Sequence, residues 1–249
     1  MTEALLDVRD LTKAYGGLKA SDHLSFQLDA GEIHAVIGPN GAGKTTFIAQ
    51  IMGDVRPDQG MINFAGQSLN GLSTAQRVRL GLARTFQIPR LLKEQSVIAN
   101  VALAIQAAQG HSFRFWQAAA QDSSLIEPAQ AILQQSGLSA RAQVQVALLS
   151  HGEQKQLELA IAFALRPRLL LLDEPMAGMG PAESRAMVQI LLSLKGQVSM
   201  LLVEHDMDAV FALADRISVL VYGRIIACGT PDEIRANADV RAAYLGEED

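Results

Sequence analysis

The chain has 249 residues, 49% of them hydrophobic, a formal net charge of -5 and one cysteine. That length and apolar content can bury a full core, as one large domain or a domain with an inserted lobe, and exclude a disordered chain. The single Cys228 excludes an intrachain disulfide framework and a cysteine-cluster metal site and reads as a buried small residue, while an acidic balance without basic runs argues against nucleic acid or lipid headgroups as partners. The N-terminus, Met1-Thr2-Glu3-Ala4-Leu5-Leu6-Asp7, carries acids where a secretion signal is basic. No apolar run approaches the roughly 18 residues that cross a bilayer, so a soluble, cytosolic protein is expected.

Along the chain, short apolar or alternating runs at residues 5–9, 24–28, 33–37 and 61–64 predict strands, an antiparallel edge joined to a parallel core. After the third run comes Gly38-Pro39-Asn40-Gly41-Ala42-Gly43-Lys44-Thr45-Thr46, followed by the helical stretch 45–52. Glycines let backbone N–H groups point inward around a chain of phosphates, the lysine ammonium reaches the outer phosphates, and the Thr45 hydroxyl can ligate Mg²⁺. Strand, loop and helix in that order place phosphate on a helix N-terminus, which defines a nucleotide site and leaves kinase, GTPase and motor open.

From about residue 96 to 138 the pattern turns helical, with Val97, Val101 and Ile105 four residues apart and a break expected near Gly110. Within this lobe His111-Ser112-Phe113-Arg114-Phe115-Trp116 concentrates aromatics, for core packing of the lobe or contact with a membrane-side partner. Leu149-Ser150-His151-Gly152-Glu153-Gln154 opens a helix capped by Ser150, with a stripe of Leu157, Ile161 and Leu165. Continuous apolar runs at 169–172, 198–203 and 217–221 then read as parallel strands covered on both faces. The first delivers Asp173-Glu174 at its C-terminal end, where ligands bind in open parallel sheets, with Asp173 suited to the Mg²⁺ shell and Glu174 to an attacking water. Thr230-Pro231-Asp232-Glu233 is a helix start.

In this order the motifs resemble the ATP-binding cassette (ABC) ATPases of membrane transporters, whose signature segment usually reads Leu-Ser-Gly-Gly-Gln. The resemblance implies an α/β fold: a P-loop NTPase (RecA-like) core with an antiparallel β subdomain and an inserted α-helical lobe. It divides the single domain into a catalytic core, residues 1–87 and about 155–249, and a lobe at about 88–154 that carries the signature. Tyr15 matches the aromatic that stacks on adenine, Gln87 the glutamine that joins core to lobe and senses Mg²⁺ and nucleotide, and His205 the switch histidine. The implied site is shared by a head-to-tail dimer. Residues 38–46, with Tyr15, bind ATP from one subunit, and Ser150 and Gly152 touch the γ-phosphate from the other. Lys44, Glu174, His205 and Gln87 carry catalysis, and Thr45, Gln87 and Asp173 hold Mg²⁺.

Three positions depart from the family pattern: His151 and Glu153 in the signature, and Gly180 where many relatives carry the aspartate of the loop that crosses between subunits. The signature segment and the Asp173-Glu174 pair discriminate against an unrelated P-loop kinase or GTPase. The tail, Gly229-Thr230-Pro231-Asp232-Glu233-Ile234 and residues 240–247, is similar to the ATPases of branched-chain and related polar amino-acid importers. Importers of urea or short amides and lipopolysaccharide exporters have similar endings, and a non-transport cassette ATPase acting in DNA repair or on ribosomes is the other class, though the two cassettes, long insertions or basic arms usual there are not visible. This implies a second ATPase subunit, two membrane permeases and, indirectly, a periplasmic binding protein as partners. It also implies a place on the cytoplasmic face of the inner membrane, and it makes the stretch Ile88-Pro89-Arg90-Leu91-Leu92 the expected border of the permease groove.

Overall fold

The computed structural model describes residues 4–85, 91–109 and 122–241. Two sheets carry the fold. The first is antiparallel, with order β2-β1-β4-β5, built from β1 (Leu6–Tyr15), β2 (Leu18–Leu28), β4 (Gln59–Phe64) and β5 (Gln67–Ser68). The second has order β10-β9-β3-β8-β7-β6, from β3 (Ile33–Ile37), β6 (Leu82–Arg84), β7 (Leu169–Asp173), β8 (Ser199–Val203), β9 (Arg216–Val221) and β10 (Arg224–Gly229). It is parallel except for β10, which returns from β9 as a hairpin.

Every residue of β3, β7 and β8 is buried, which is why these strands read as unbroken apolar runs rather than as alternation. One core lies between the two sheets, around α1 (Lys44–Met52), whose Phe47 and Ile51 are fully buried, and α2 (Thr74–Arg79) packs its Val78 against it. Full burial of such a side chain contributes about 2 kcal/mol. The other face of the parallel sheet packs on α6 (Pro181–Leu194) and α7 (Met207–Leu213).

A third cluster joins α3 (Val97–Ala108), α4 (Ser123–Gln135) and α5 (His151–Ala164), and Val97, Val101 and Ile105 all lie in it. The expected stripe at 157, 161 and 165 is split: Leu157 and Ile161 pack with the lobe, while Leu165, the C-cap just past α5, packs on the main core. Leu157, Ala160 and Ala164 face the lobe while Leu159 and Ala162 face the main core, so α5 is clamped on two sides. Two expectations from the lobe, the break near Gly110 and the aromatic run 111–116, lie outside the described residues.

Cys228 corrects the sequence reading: it is exposed. The reason is its place on β10, the sheet-edge strand, where alternate residues face outward. Pro231 begins α8 (Pro231–Ala236), and Thr230 and Glu233 form the reciprocal cap anticipated from the sequence.

Candidate functional site

The chain leaves β3 at Ile37 and turns through residues 38–43 into α1. Gly38 (φ 153) and Gly43 (φ 108) both have a left-handed backbone, and a Cβ at either would run into a backbone carbonyl, of Leu220 and Ala20 respectively. Gly43 is the N-cap of α1 and supplies no side-chain cap, so the first-turn N–H groups stay available to a ligand. From behind, the Gly223 amide in the β9–β10 turn donates to the Ala42 carbonyl (2.9 Å).

Lys44 Nζ curls over the loop and donates to the Gly38 and Pro39 carbonyls (2.6 and 3.0 Å). Burial holds this ammonium below the ordinary lysine range, while the charges of Glu174 and Asp173 pull it the other way. Asn40, Gly41 and Thr45 are exposed, and Pro39 and Thr46 are half-buried.

Parallel pairing aligns Val36 of β3 and Asp173 of β7 with the same residue of β8, Val203. The glycine-rich 38–43 loop, the acidic pair and the His205 turn therefore emerge side by side at the carboxyl ends of three adjacent strands. Asp173 is fully buried. Its Oδ2 accepts from Arg84 Nη2 (2.9 Å), and its Oδ1 has no hydrogen-bond partner among the described residues. Glu174 adopts φ 50, a left-handed conformation costing a non-glycine residue about 1 kcal/mol. Its N–H still donates to the Val203 carbonyl (2.8 Å), so the chain flips just after the last sheet bond, which breaks the strand's alternation of side-chain directions. The His205 side chain is 59% exposed.

Ser150 is the N-cap of α5 and forms a reciprocal capping box with Glu153, which also pairs with Arg141 (2.7 Å). Among the described residues, Ser150, His151 and Gly152 are in contact with the segment after Glu174. Ser150 Oγ donates to Glu183 Oε1 (3.3 Å), His151 Nε2 lies 3.3 Å from the Ala177 carbonyl, and a Cβ on Gly152 would strike the Glu183 carboxylate. The same carboxylate accepts from the Gly180 amide (3.1 Å), so Glu183, three residues beyond the glycine that departs from the family pattern, caps the start of α6. Tyr15 ends β1, its ring half exposed and 5.5 Å from Lys13 Nζ. Gln87 lies outside the described residues.

Sequence reasoning assigned no role to Arg84, Glu183 or Glu204. Their spacing carries no motif, and the only available signal was an acid directly beside His205.

A family model described as "ABC transporter" matches residues 21–177. The chain belongs to this family: it is an ATP-binding cassette ATPase. A second model, "Branched-chain amino acid ATP-binding cassette transporter", matches residues 224–249. The high-affinity branched-chain amino acid transport ATP-binding protein LivG of Escherichia coli is 39% identical, the alignment covering 99% of this chain and 100% of LivG. BraF of Pseudomonas aeruginosa, described in the same words, is 36% identical with 99% and 100% covered. Within its family the chain thus falls in the branched-chain amino acid group of cassettes. The crystal structure of the ADP conformation of MJ1267, an ATP-binding cassette of an ABC transporter, is 29% identical and superposes with a TM-score of 0.86, covering 99% of this chain and 100% of that one.

Proposed function

We propose that this chain is the ATP-hydrolysing subunit of an importer for branched-chain or related amino acids. The observation that carries the reading is end-to-end similarity to LivG and BraF that continues through the tail at 224–249. No described helix is long and apolar enough to cross a membrane, in keeping with attachment to the inner membrane's cytoplasmic face through two permease subunits. Of the 88–92 stretch that would border their groove, the described residues are Leu91, packed against the lobe core, and exposed Leu92.

In the proposed mechanism the loop amides at 38–46 and the Lys44 ammonium cradle the β- and γ-phosphates while Tyr15 stacks on adenine. Glu174, held at the flipped end of β7, accepts a proton from the in-line water, and exposed His205 hydrogen-bonds the γ-phosphoryl oxygens. Thr45 and Asp173 fit Mg²⁺: both offer hard oxygens, the Asp173 Oδ1 is buried and otherwise unpartnered, and Gln87 would add a third donor. When bound, Mg²⁺ neutralises charge on the transferring phosphoryl group. Ser150 and Gly152, in contact with the segment after Glu174 in their own chain, would meet the nucleotide of a second subunit. ATP then favours a closed dimer that ADP does not hold, and that difference drives the permeases.

Two experiments test the reading. Glu174→Gln is expected to bind ATP normally, to lose turnover by about 100-fold or more and to trap a closed dimer; wild-type hydrolysis would overturn the assignment. Purified with its permeases and binding protein, the chain should hydrolyse ATP faster when leucine, isoleucine or valine is supplied. Stimulation by urea or by lipopolysaccharide instead would overturn the substrate assignment.

A further inference from the structure

The residue before His205 is a glutamate with no exposed surface. A carboxylate in that position is costly unless its lone pairs are filled. Here backbone amides fill them. Glu204 Oε1 accepts from the Met176 N–H (2.9 Å), and Oε2 accepts from the N–H groups of His205 (2.9 Å) and Asp206 (3.3 Å).

Those donors belong to two different turns. Pro175 has no N–H, so the Met176 amide is the first donor after Glu174 that can anchor the turn carrying the proposed general base. The His205 and Asp206 amides belong to the turn carrying the proposed γ-phosphate ligand and leading into α7. The same carboxylate lies 3.6 Å from His205 Nδ1. Sheet pairing brings β7 and β8 together only as far as Asp173 and Val203, with one further bond from the Glu174 amide. Beyond that point, the Glu204 side chain continues the connection.

We propose that Glu204 is a positioning residue for ATP hydrolysis, a buried clasp that holds the Glu174 turn and the His205 turn in one fixed relation. The inference rests on the assignment of Glu174 and His205 to the reaction. Glu204 has no exposed surface and acts through the backbone of its neighbours. A carboxylate suits this task because its two oxygens accept only, and all three partners donate. Misplacing a reacting group by about 1 Å can cost on the order of 100-fold in rate, which sets the scale of the effect.

The test is Glu204→Gln, which keeps the side-chain volume but turns one acceptor into a donor aimed at an N–H. With the permease complex, ATP affinity is expected to stay within about 2-fold and kcat to fall about 100-fold. Glu204→Gln combined with His205→Ala should be slower than His205→Ala alone by clearly less than the full Glu204→Gln loss, because part of that loss acts through His205 and part through the Glu174 turn. A purely structural role would instead lower thermal stability and ATP affinity together and would add its full loss to that of His205→Ala. Full wild-type kcat in Glu204→Gln, or that full additivity, overturns the proposal. If Glu204→Gln does not fold, Glu204→Asp, which keeps the charge and shortens its reach, carries the same comparison. Glu174→Gln, measured alongside, separates the two failures: if it retains turnover the site assignment falls, and if only the Glu204 variants behave as wild type the clasp falls.

Discussion

Arg84 reaches from β6 to Asp173 at the end of β7, its Nη2 2.9 Å from the Asp173 Oδ2, with 11% of the arginine side chain and none of the aspartate exposed. A second nitrogen of the same guanidinium pairs with Asp54 (3.1 Å). The pair fixes which Asp173 oxygen is engaged and leaves the other free for a ligand.

Removing one partner of such a buried pair leaves an uncompensated charge. Arg84→Ala is therefore expected to lower the unfolding free energy by about 3 kcal/mol, measured by urea denaturation at neutral pH. A change within about 0.5 kcal/mol would show that the pair contributes no net stability.

Gly43→Ala places a methyl group against the Ala20 carbonyl at a left-handed position. The loop must open to accept it. ATP affinity is expected to fall more than about 10-fold, equivalent to about 1.4 kcal/mol, in a fluorescent-nucleotide titration, while the β-sheet circular dichroism persists. Unchanged affinity would mean that the close packing behind the loop does not shape the site.

Glu153 stands where the family pattern has glutamine. Burial pushes its carboxyl up, but the Ser150 amide and the Arg141 pair outweigh that and leave it below the ordinary glutamate range. A glutamine can still complete the capping box, so Glu153→Gln is expected to keep full ATPase activity and lose less than about 1 kcal/mol of stability. Because the folded-state value is depressed, the charge-dependent part is present above the unfolded value of 4.5 and disappears as pH falls below it. Thermal melts of both proteins at pH 7 and pH 3.5 check this, and a gap that widens at low pH would contradict it.

His34 sits wholly within β3, against Ser218 Oγ (2.8 Å). Burial, aided by the Arg216 charge, drives its pKa down from 6.5 to about 3, so the folded chain carries it neutral. Below pH 6.5 the unfolded chain binds a proton that the folded chain refuses. Stability should therefore drop as pH falls from 6.5 towards 3, by at most about 1.4 kcal/mol per unit. His34→Gln should flatten that slope in urea titrations at pH 7, 6 and 5; an unchanged slope would place the acid sensitivity elsewhere.

Much of the fold was legible because its strands are short, wholly buried and consecutive in function. β3 was read to the residue, and β7, β8 and β9 to within one. The antiparallel strands were read too short at one end, since β1 and β2 run on through polar residues to the Tyr15–Leu18 hairpin, which apolar patterning does not mark. The α5 stripe was read as one face because periodicity reports how a helix is patterned, not how many neighbours it has.

Local chemistry made the nucleotide loop, the Ser150 cap, the Asp173-Glu174 pair and the Thr230 helix start visible in the sequence, since each depends on residues within a few positions of one another. Contacts across long separations were decided by the tertiary structure alone. Arg84 meets Asp173, Glu183 reaches Ser150, and Glu204 clasps Met176 because parallel strands and a two-sided helix bring distant segments together. A buried charge has to be satisfied by whatever the fold places beside it, and no spacing rule along the chain specifies that partner.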